Sequence, residues 1–340
     1  MYVTITDSWD FYLEQFEEEK RDIYFEEVYV KRYATNDSEP LCIVCKEEQN
    51  IVLMPFLRNK IEEYYDFETP YGYGGPIANT DDKVWISAAL KEMQRYFEKN
   101  NYVCGFVRFH PLLENALLCD EVIHVIFDRK TVFINTEPEE DVIWKEQITS
   151  KNRNMIRKAE KNELSFNAEY NFESIDKFVK LYNATMQRLQ ADEFYYFDKK
   201  YYDEIVELFE GKAFLGTVLL NEEMICGAIF FYDGPYGHYH LEGSNHIYSG
   251  LAANNYLLWN VAKELHKLGV KKFHLGGGYD SSQDNSLLKF KKSFSNNMAD
   301  FYIGKWIFNQ EVYDKICKEW EMNNPSKAEL YRNRLLKYRY

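Results

Sequence analysis

Residues 213–244 read AFLGTVLL-NEE-MICGAIFFY-DGP-YGHYHLEGS, and the fold turns on how they are parsed. Ala213–Leu220 and Met224–Tyr232 are apolar runs of strand length, joined by the polar turn Asn221-Glu222-Glu223. Two such runs bounded by turn residues read as an antiparallel hairpin. A third strand, Tyr236–Ser244, follows, and then a helix pattern over about Leu251–Leu268 with Gly269 as its left-handed terminator. A further strand, Lys272–Leu275, runs into Gly276-Gly277-Gly278.

The chain says this twice. Leu41–Lys46, the polar turn Glu47-Glu48-Gln49-Asn50 and Ile51–Leu57 form an earlier hairpin. A Gly/Tyr-rich segment, Tyr71–Pro76, follows it, then a helix pattern from about Asp82 to Lys99 and a strand, Tyr102–Phe109. A repeat spacing of about 170 residues means duplicated domains rather than a solenoid. The expected fold is α+β, two tandem domains with mixed sheets. They are expected to span residues 1–140 and 141–340, split near Pro138-Glu139-Glu140-Asp141, with a final helical segment near Gln310–Leu336.

Composition agrees with two packed cores: 340 residues, 46% hydrophobic, with 28 Tyr and 24 Phe. The longest apolar runs are too short to span a bilayer and no signal peptide is evident, so a cytoplasmic protein without a transmembrane segment is expected. Cys42 and Cys45 form a lone CxxC inside an apolar strand, with no second pair at ligand spacing; they read as buried cysteines, and no metal is expected. The net charge of −14 argues against binding nucleic acid over the whole surface. One local exception stands out: Lys145, Lys151, Arg153, Arg157, Lys158 and Lys161 on a helix predicted over Trp144–Asn162.

Four segments carry a resemblance. Ser150–Lys161 (SKNRNMIRKAEK), Leu241-Glu242-Gly243-Ser244, Leu275-Gly276-Gly277-Gly278 and Leu287–Phe294 (LLKFKKSF) resemble, in order, segments of the FemAB family. Members of that family transfer amino acids from aminoacyl-tRNA to the peptide of a cell-wall precursor. The resemblance implies two GNAT-like (acyl-CoA N-acyltransferase-like) domains, the main cleft in the second. It implies an acyltransferase acting on a nucleotide-linked or lipid-linked cell-envelope precursor, with aminoacyl-tRNA or acyl-CoA as donor and no tightly bound cofactor. It also implies that Phe290 and Lys291 bind the donor end. The same scaffold occurs in proteins of polysaccharide and amino-sugar pathways, so a CoA-dependent N-acyltransferase of an amino sugar stands as an alternative. A catalytically silent binding module is a third.

Acyl transfer to an amine needs a positioned carbonyl, stabilisation of the developing oxyanion and a route for the amine proton. Lys291 is the candidate cation for the oxyanion, against a reading in which Lys289, Lys291 and Lys292 form a solvated face. Period-two alternation places Tyr236, His238, His240, Glu242 and Ser244 on one face of their strand, making His240 and Glu242 the candidate bases and Tyr236 a cleft-lining group. Arg153, Arg157 and Lys158 are candidate phosphate ligands. Arg108 ends a strand and is a further anion contact, while Arg188 and Tyr196 border the cleft in the resemblance. The stretch Ile247-Tyr248-Ser249-Gly250-Leu251-Ala252 sits where acetyl-CoA enzymes carry (Gln/Arg)-x-x-Gly-x-(Gly/Ala); Gly250 and Ala252 fit, and Ile247 departs.

Overall fold

The computed structural model describes residues 1–280, 282 and 285–340, and they divide into two compact units. Met1–Asp128 with Asp300–Tyr340 make the first, and Arg129–Ala299 the second.

The first unit opens with strands β1 (Tyr2–Thr6), β2 (Ser38–Glu47), β3 (Asn50–Ile61), β4 (Tyr64–Glu68) and the short β5 (Ile77–Ala78). Helix α1 (Lys83–Lys99) starts where the Asp82 carboxylate accepts the N–H groups of Val84 and Trp85, a standard way to satisfy the open donors of a helix start. Its apolar residues Trp85, Ala89, Leu90, Met93 and Phe97 fall at helical spacing and pack with Phe56, Phe67 and Tyr102. Strand β6 (Tyr102–Arg108) follows. Cys42 and Cys45 are buried in β2, and burial pushes both thiols up.

Strand β7 (His124–Asn135) leads into the second unit, followed by α2 (Ser150–Lys161), β8 (Ser165–Glu169), α3 (Ile175–Leu189) and α4 (Lys199–Leu208). The hairpin and its sequel then appear as β9 (Ala213–Leu220), β10 (Glu223–Asp233), β11 (Tyr236–Ser244), α5 (Ala253–Lys267), β12 (Lys272–Gly277) and α6 (Ser286–Lys292). The chain ends with β13 (Met298–Ile307), α7 (Gln310–Asn323) and α8 (Pro325–Tyr331).

Strand order is β1-β2-β3-β4-β6-β13 in the first unit, with β5 beside β3, and β8-β9-β10-β11-β12-β7 in the second. Within each unit the strands pair antiparallel except for one parallel pair, β4–β6 and β11–β12. Chain order and strand order cross over. The strand after β6 pairs with β12 of the second unit, and the strand after β12 pairs with β6 of the first. The division therefore differs from the expected 140/141 boundary: residues 300–340 return to the first unit, because β13 pairs with β6 from Ile303↔Arg108 to Ile307↔Cys104.

Two predicted helices are interrupted. The span 144–162 breaks at Ile148, which is extended; a π turn, Ile143–Gln147, precedes it, and Thr149 caps α2 while its own N–H donates to the Ser293 carbonyl at 2.9 Å. The C-terminal helix divides at Pro325, which cannot continue the helical hydrogen bonding. No helix among the described residues is long and apolar enough to cross a membrane.

Candidate active site

The parallel pair of the second unit comes apart. Its register runs Tyr236↔Lys272, Gly237↔Phe273, His238↔His274 and stops, although β11 continues to Ser244 and β12 to Gly277. Both strands are distorted where they part. On β11, Phe230 faces Tyr239 and Ile229 faces Leu241, leaving His240 as an extra residue. On β12, the register against β7 shifts between His274 and Gly276, whose φ of +75° only glycine adopts freely.

The bulge at His240 corrects the period-two reading, because an extra residue reverses the alternation beyond it. Tyr239 and Glu242 end up together on the α5 side: the charge of Glu242 acts on the Tyr239 hydroxyl, and Asn254 of α5 donates to Glu242 Oε1 at 3.0 Å. His240 faces α4 instead, its Nε2 2.5 Å from the Tyr201 hydroxyl and its ring 4.6 Å from that of Phe231. Gly243 has α3 packed directly on it; a Cβ there would come within 2.7 Å of the Tyr182 backbone. Tyr236 is buried opposite Lys272, at the far end of β11 from the opening.

Lys291 closes the other side of the opening. Asn285 caps α6 by accepting the N–H groups of Leu287 and Leu288, and this sets Lys291 facing inward with only 7% of its surface exposed. Its Nζ donates to the Gly277 carbonyl at 2.7 Å and lies 5.9 Å from the centre of the Tyr239 ring. No carboxylate among the described residues pairs with it, and burial lowers its pKa from 10.5 to about 8. The solvated-face reading of this lysine is therefore replaced by a buried cation, still largely protonated at neutral pH.

Glu242 complements it. Burial raises its carboxyl above the ordinary value, opposed by bonds from Ser244 and Asn254 and by the Arg188 charge. Asn254 Oδ1 also accepts from the Cys226 thiol at 3.1 Å, which fixes its amide with the N–H side toward Glu242. Burial holds Tyr239 and Cys226 well above their usual values, so both stay neutral.

Beside this group lies a cleft of about 280 Å³, lined by Arg188, Ser244, Ser249, Ala252, Asn254 and Phe290 among others. Ala252 stands in the left-handed region (φ 61°), α5 begins after it with no side-chain cap, and its first turn, Ala253 to Asn255, lies on the cleft lining. The preceding loop is coiled into a 3₁₀ turn, His246–Leu251, and Asn245 Oδ1 accepts the Ile247 N–H. Gly250 sits in that turn with open space around it.

Phe290 and Arg188 line this cleft, Glu242 is bonded to Asn254 of its lining, and Lys291 is bonded to Gly277 at the end of β12. The basic helix does not line the cleft. Arg153 donates to the carbonyls of Trp144, Lys145 and Ile148, closing the π turn, because the break at Ile148 leaves those carbonyls without helical partners. Arg157 stacks on Trp144, with 5.4 Å to the ring centre, and Lys158 is exposed. Arg108 belongs to the first unit, where it pairs with Glu68 at 2.9 Å and donates to the Thr69 carbonyl. Tyr196 is exposed. Sequence reasoning missed Tyr239 and Asn254. Plain alternation puts Tyr239 on the face opposite Glu242, and an Asn at the second position of a helix carries no signal of its own.

Residues 149–292 match the model of the acetyltransferase (GNAT) domain. The chain has a GNAT fold similar to that of FemX, with an acetyltransferase domain in its second unit. A crystal structure of FemX is 15% identical, covering 93% of this chain and 100% of that one, with a TM-score of 0.70. A conserved protein of unknown function from Bacteroides thetaiotaomicron is 12% identical over 90% of this chain and 100% of its own, with a TM-score of 0.58. A tandem GNAT protein from the clavulanic acid biosynthesis pathway is 7% identical over 89% and 98%, with a TM-score of 0.50. No curated protein matches the chain by sequence. At these identities the solved structures speak for the fold alone, and it is the tandem GNAT fold that the FemAB resemblance implies.

Proposed function

We propose that the second unit transfers an acyl group, aminoacyl in the leading reading, to an amine of a cell-envelope precursor. The observation that carries this is the parted β11–β12 pair with a buried, carboxylate-free Lys291 on one side and Glu242 on the other. The acceptor amine attacks the donor carbonyl, the new C–N bond forms, and the C–O or C–S bond to the donor breaks. Lys291 stabilises the oxyanion, where a fixed cation in a water-poor site is worth far more than in bulk water. Glu242, its pKa raised by burial, takes the amine proton. Tyr239, neutral and beside both, donates a proton to the leaving group. The uncapped start of α5 and Arg188 hold a phosphate of the bound ligand, and Phe290 packs against the donor end.

The match of residues 149–292 to an acetyltransferase domain favours a second reading, acetyl transfer from acetyl-CoA to an amino sugar. The two readings separate in one experiment. Acetyl-CoA and aminoacyl-tRNA are each offered with a UDP-muramyl peptide or a UDP-amino sugar, and products are read by mass. Aminoacylated muramyl peptide, lost in Lys291→Met, supports the first; acetylated amino sugar alone replaces it with the second. No product from any pairing, with a folded protein, overturns both.

A further inference from the structure

The cleft does not end at Arg188. A second depression of about 370 Å³ continues from it, sharing Arg188, Ser244, Asn245 and His246 and adding Lys177, Lys180 and Glu223. Lys177, Lys180 and Arg188 lie on one face of α3, at positions i, i+3 and i+11, with Leu181 and Ala184 of the same stripe also on the lining. None of the three cations forms a hydrogen bond or ion pair with a described residue. The carboxylate on this lining, Glu223, accepts from the Tyr248 hydroxyl at 2.9 Å. In a chain of net charge −14, three cations along one groove, of which Arg188 alone acts on a carboxylate (Glu242), are a local concentration of positive field.

At 1.5 Å of rise per residue, Lys180 stands roughly 12 Å along the α3 axis from Arg188. That exceeds the width of a single diphosphate. One anionic group at Arg188 and the α5 start therefore leaves the two lysines for another. We propose that Lys177 and Lys180 form a second anion subsite, which binds a carboxylate or phosphate carried on the same ligand at a distance from its diphosphate. The 3₁₀ coil of residues 246–251 supports this division, because its N–H groups are turned into the coil and side chains must supply the outer contacts. The subsite rests on the reading of the inner cleft as a phosphate site.

Two ligand pairs test it, each sharing a diphosphate and differing by one remote anion: coenzyme A against 3′-dephospho-coenzyme A, and UDP-N-acetylmuramate against UDP-N-acetylglucosamine. Calorimetric titration at low salt is expected to show one pair in which the more anionic member binds about three- to tenfold tighter, the advantage two exposed cations give before screening. In Lys177→Gln/Lys180→Gln that preference vanishes, while the less anionic member binds as before. The pair that shows it identifies the remote group as phosphate or carboxylate. Equal binding within both pairs, or a preference that survives the double substitution, overturns the subsite while leaving the inner cleft standing. Absence of binding by all four ligands overturns the inner cleft and the subsite together.

Discussion

The two units carry the same strand pattern and treat its one parallel pair in opposite ways. In the first, β4 and β6 stay joined from Tyr65↔Tyr102 to Glu68↔Phe106, and a bridge between Gly74 and Phe109 carries the pairing further. The Phe67 ring fills the space over Gly105, where a Cβ would come within 2.1 Å of it. Asp66, fully buried, is held by Arg339, the Tyr338 hydroxyl and Asn59. In the second unit, the equivalent strands separate after three residue pairs, and the space receives Lys291 and Tyr239. Both seams lie beside register shifts, but aromatic packing and an ion pair fill the one, and a buried lysine and a tyrosine occupy the other.

The comparison is broken most severely at Lys291. Lys291→Met is expected to lower the transfer rate about 100- to 1000-fold, the range for removing a preorganised oxyanion donor. The same variant should be no less stable than the wild type at pH 7. The shift from 10.5 to about 8 amounts to about 3 kcal/mol of strain relieved when the charge is removed. Between those two pKa values the unfolded chain binds more protons than the folded one, so the wild type gains stability as pH rises from about 8 and the difference narrows. Urea melts at pH 7 and 10 check the sign, and wild-type activity should fall above about pH 8 as the cation is lost.

Glu242→Gln should cost about 100-fold or more in rate and remove the acid limb of the pH profile. His240→Gln, on the other side of the bulge, should leave that limb in place; an unchanged profile in Glu242→Gln would return the base to His240. On the closed unit, Arg339→Ala leaves the Asp66 carboxylate buried without its guanidinium and is expected to destabilise by roughly 3 kcal/mol. Ligand affinity of the cleft should not change, which calorimetry on the folded variant checks. The smallest effect belongs to the loop: Gly250→Ala meets open space and should shift stability by less than about 0.5 kcal/mol.

Much of the second unit was legible. Ala213–Leu220 and Tyr236–Ser244 have the bounds their sequence suggests, because apolar runs closed by Asn, Glu, Gly and Pro leave little choice. Phe290 and Lys291 were singled out by motif, and the structure places Phe290 on the cleft and buries Lys291. What escaped depends on interactions between distant segments. A bulge is set by the partner strand, so the residues around His240 alternate in sequence as if none were there. Arg153 looks like a free cation on a helix until the break at Ile148 supplies carbonyls for it. Lys177 and Lys180 were passed over because lysines on the polar face of an amphipathic helix are ordinary, and only the neighbouring groove gives them a role.

The crossover of strands also fixes an order of assembly. Residues 129–299 are contiguous and can close their own sheet, apart from β7's first residues, as soon as they leave the ribosome. The N-terminal unit cannot: the outer edge of β6 waits for β13, nearly two hundred residues later in synthesis. Until then it presents an unpaired strand edge, the kind of surface that templates aggregation. A chain stopped near residue 299 should therefore yield a folded second unit tethered to a sticky, unfinished first one.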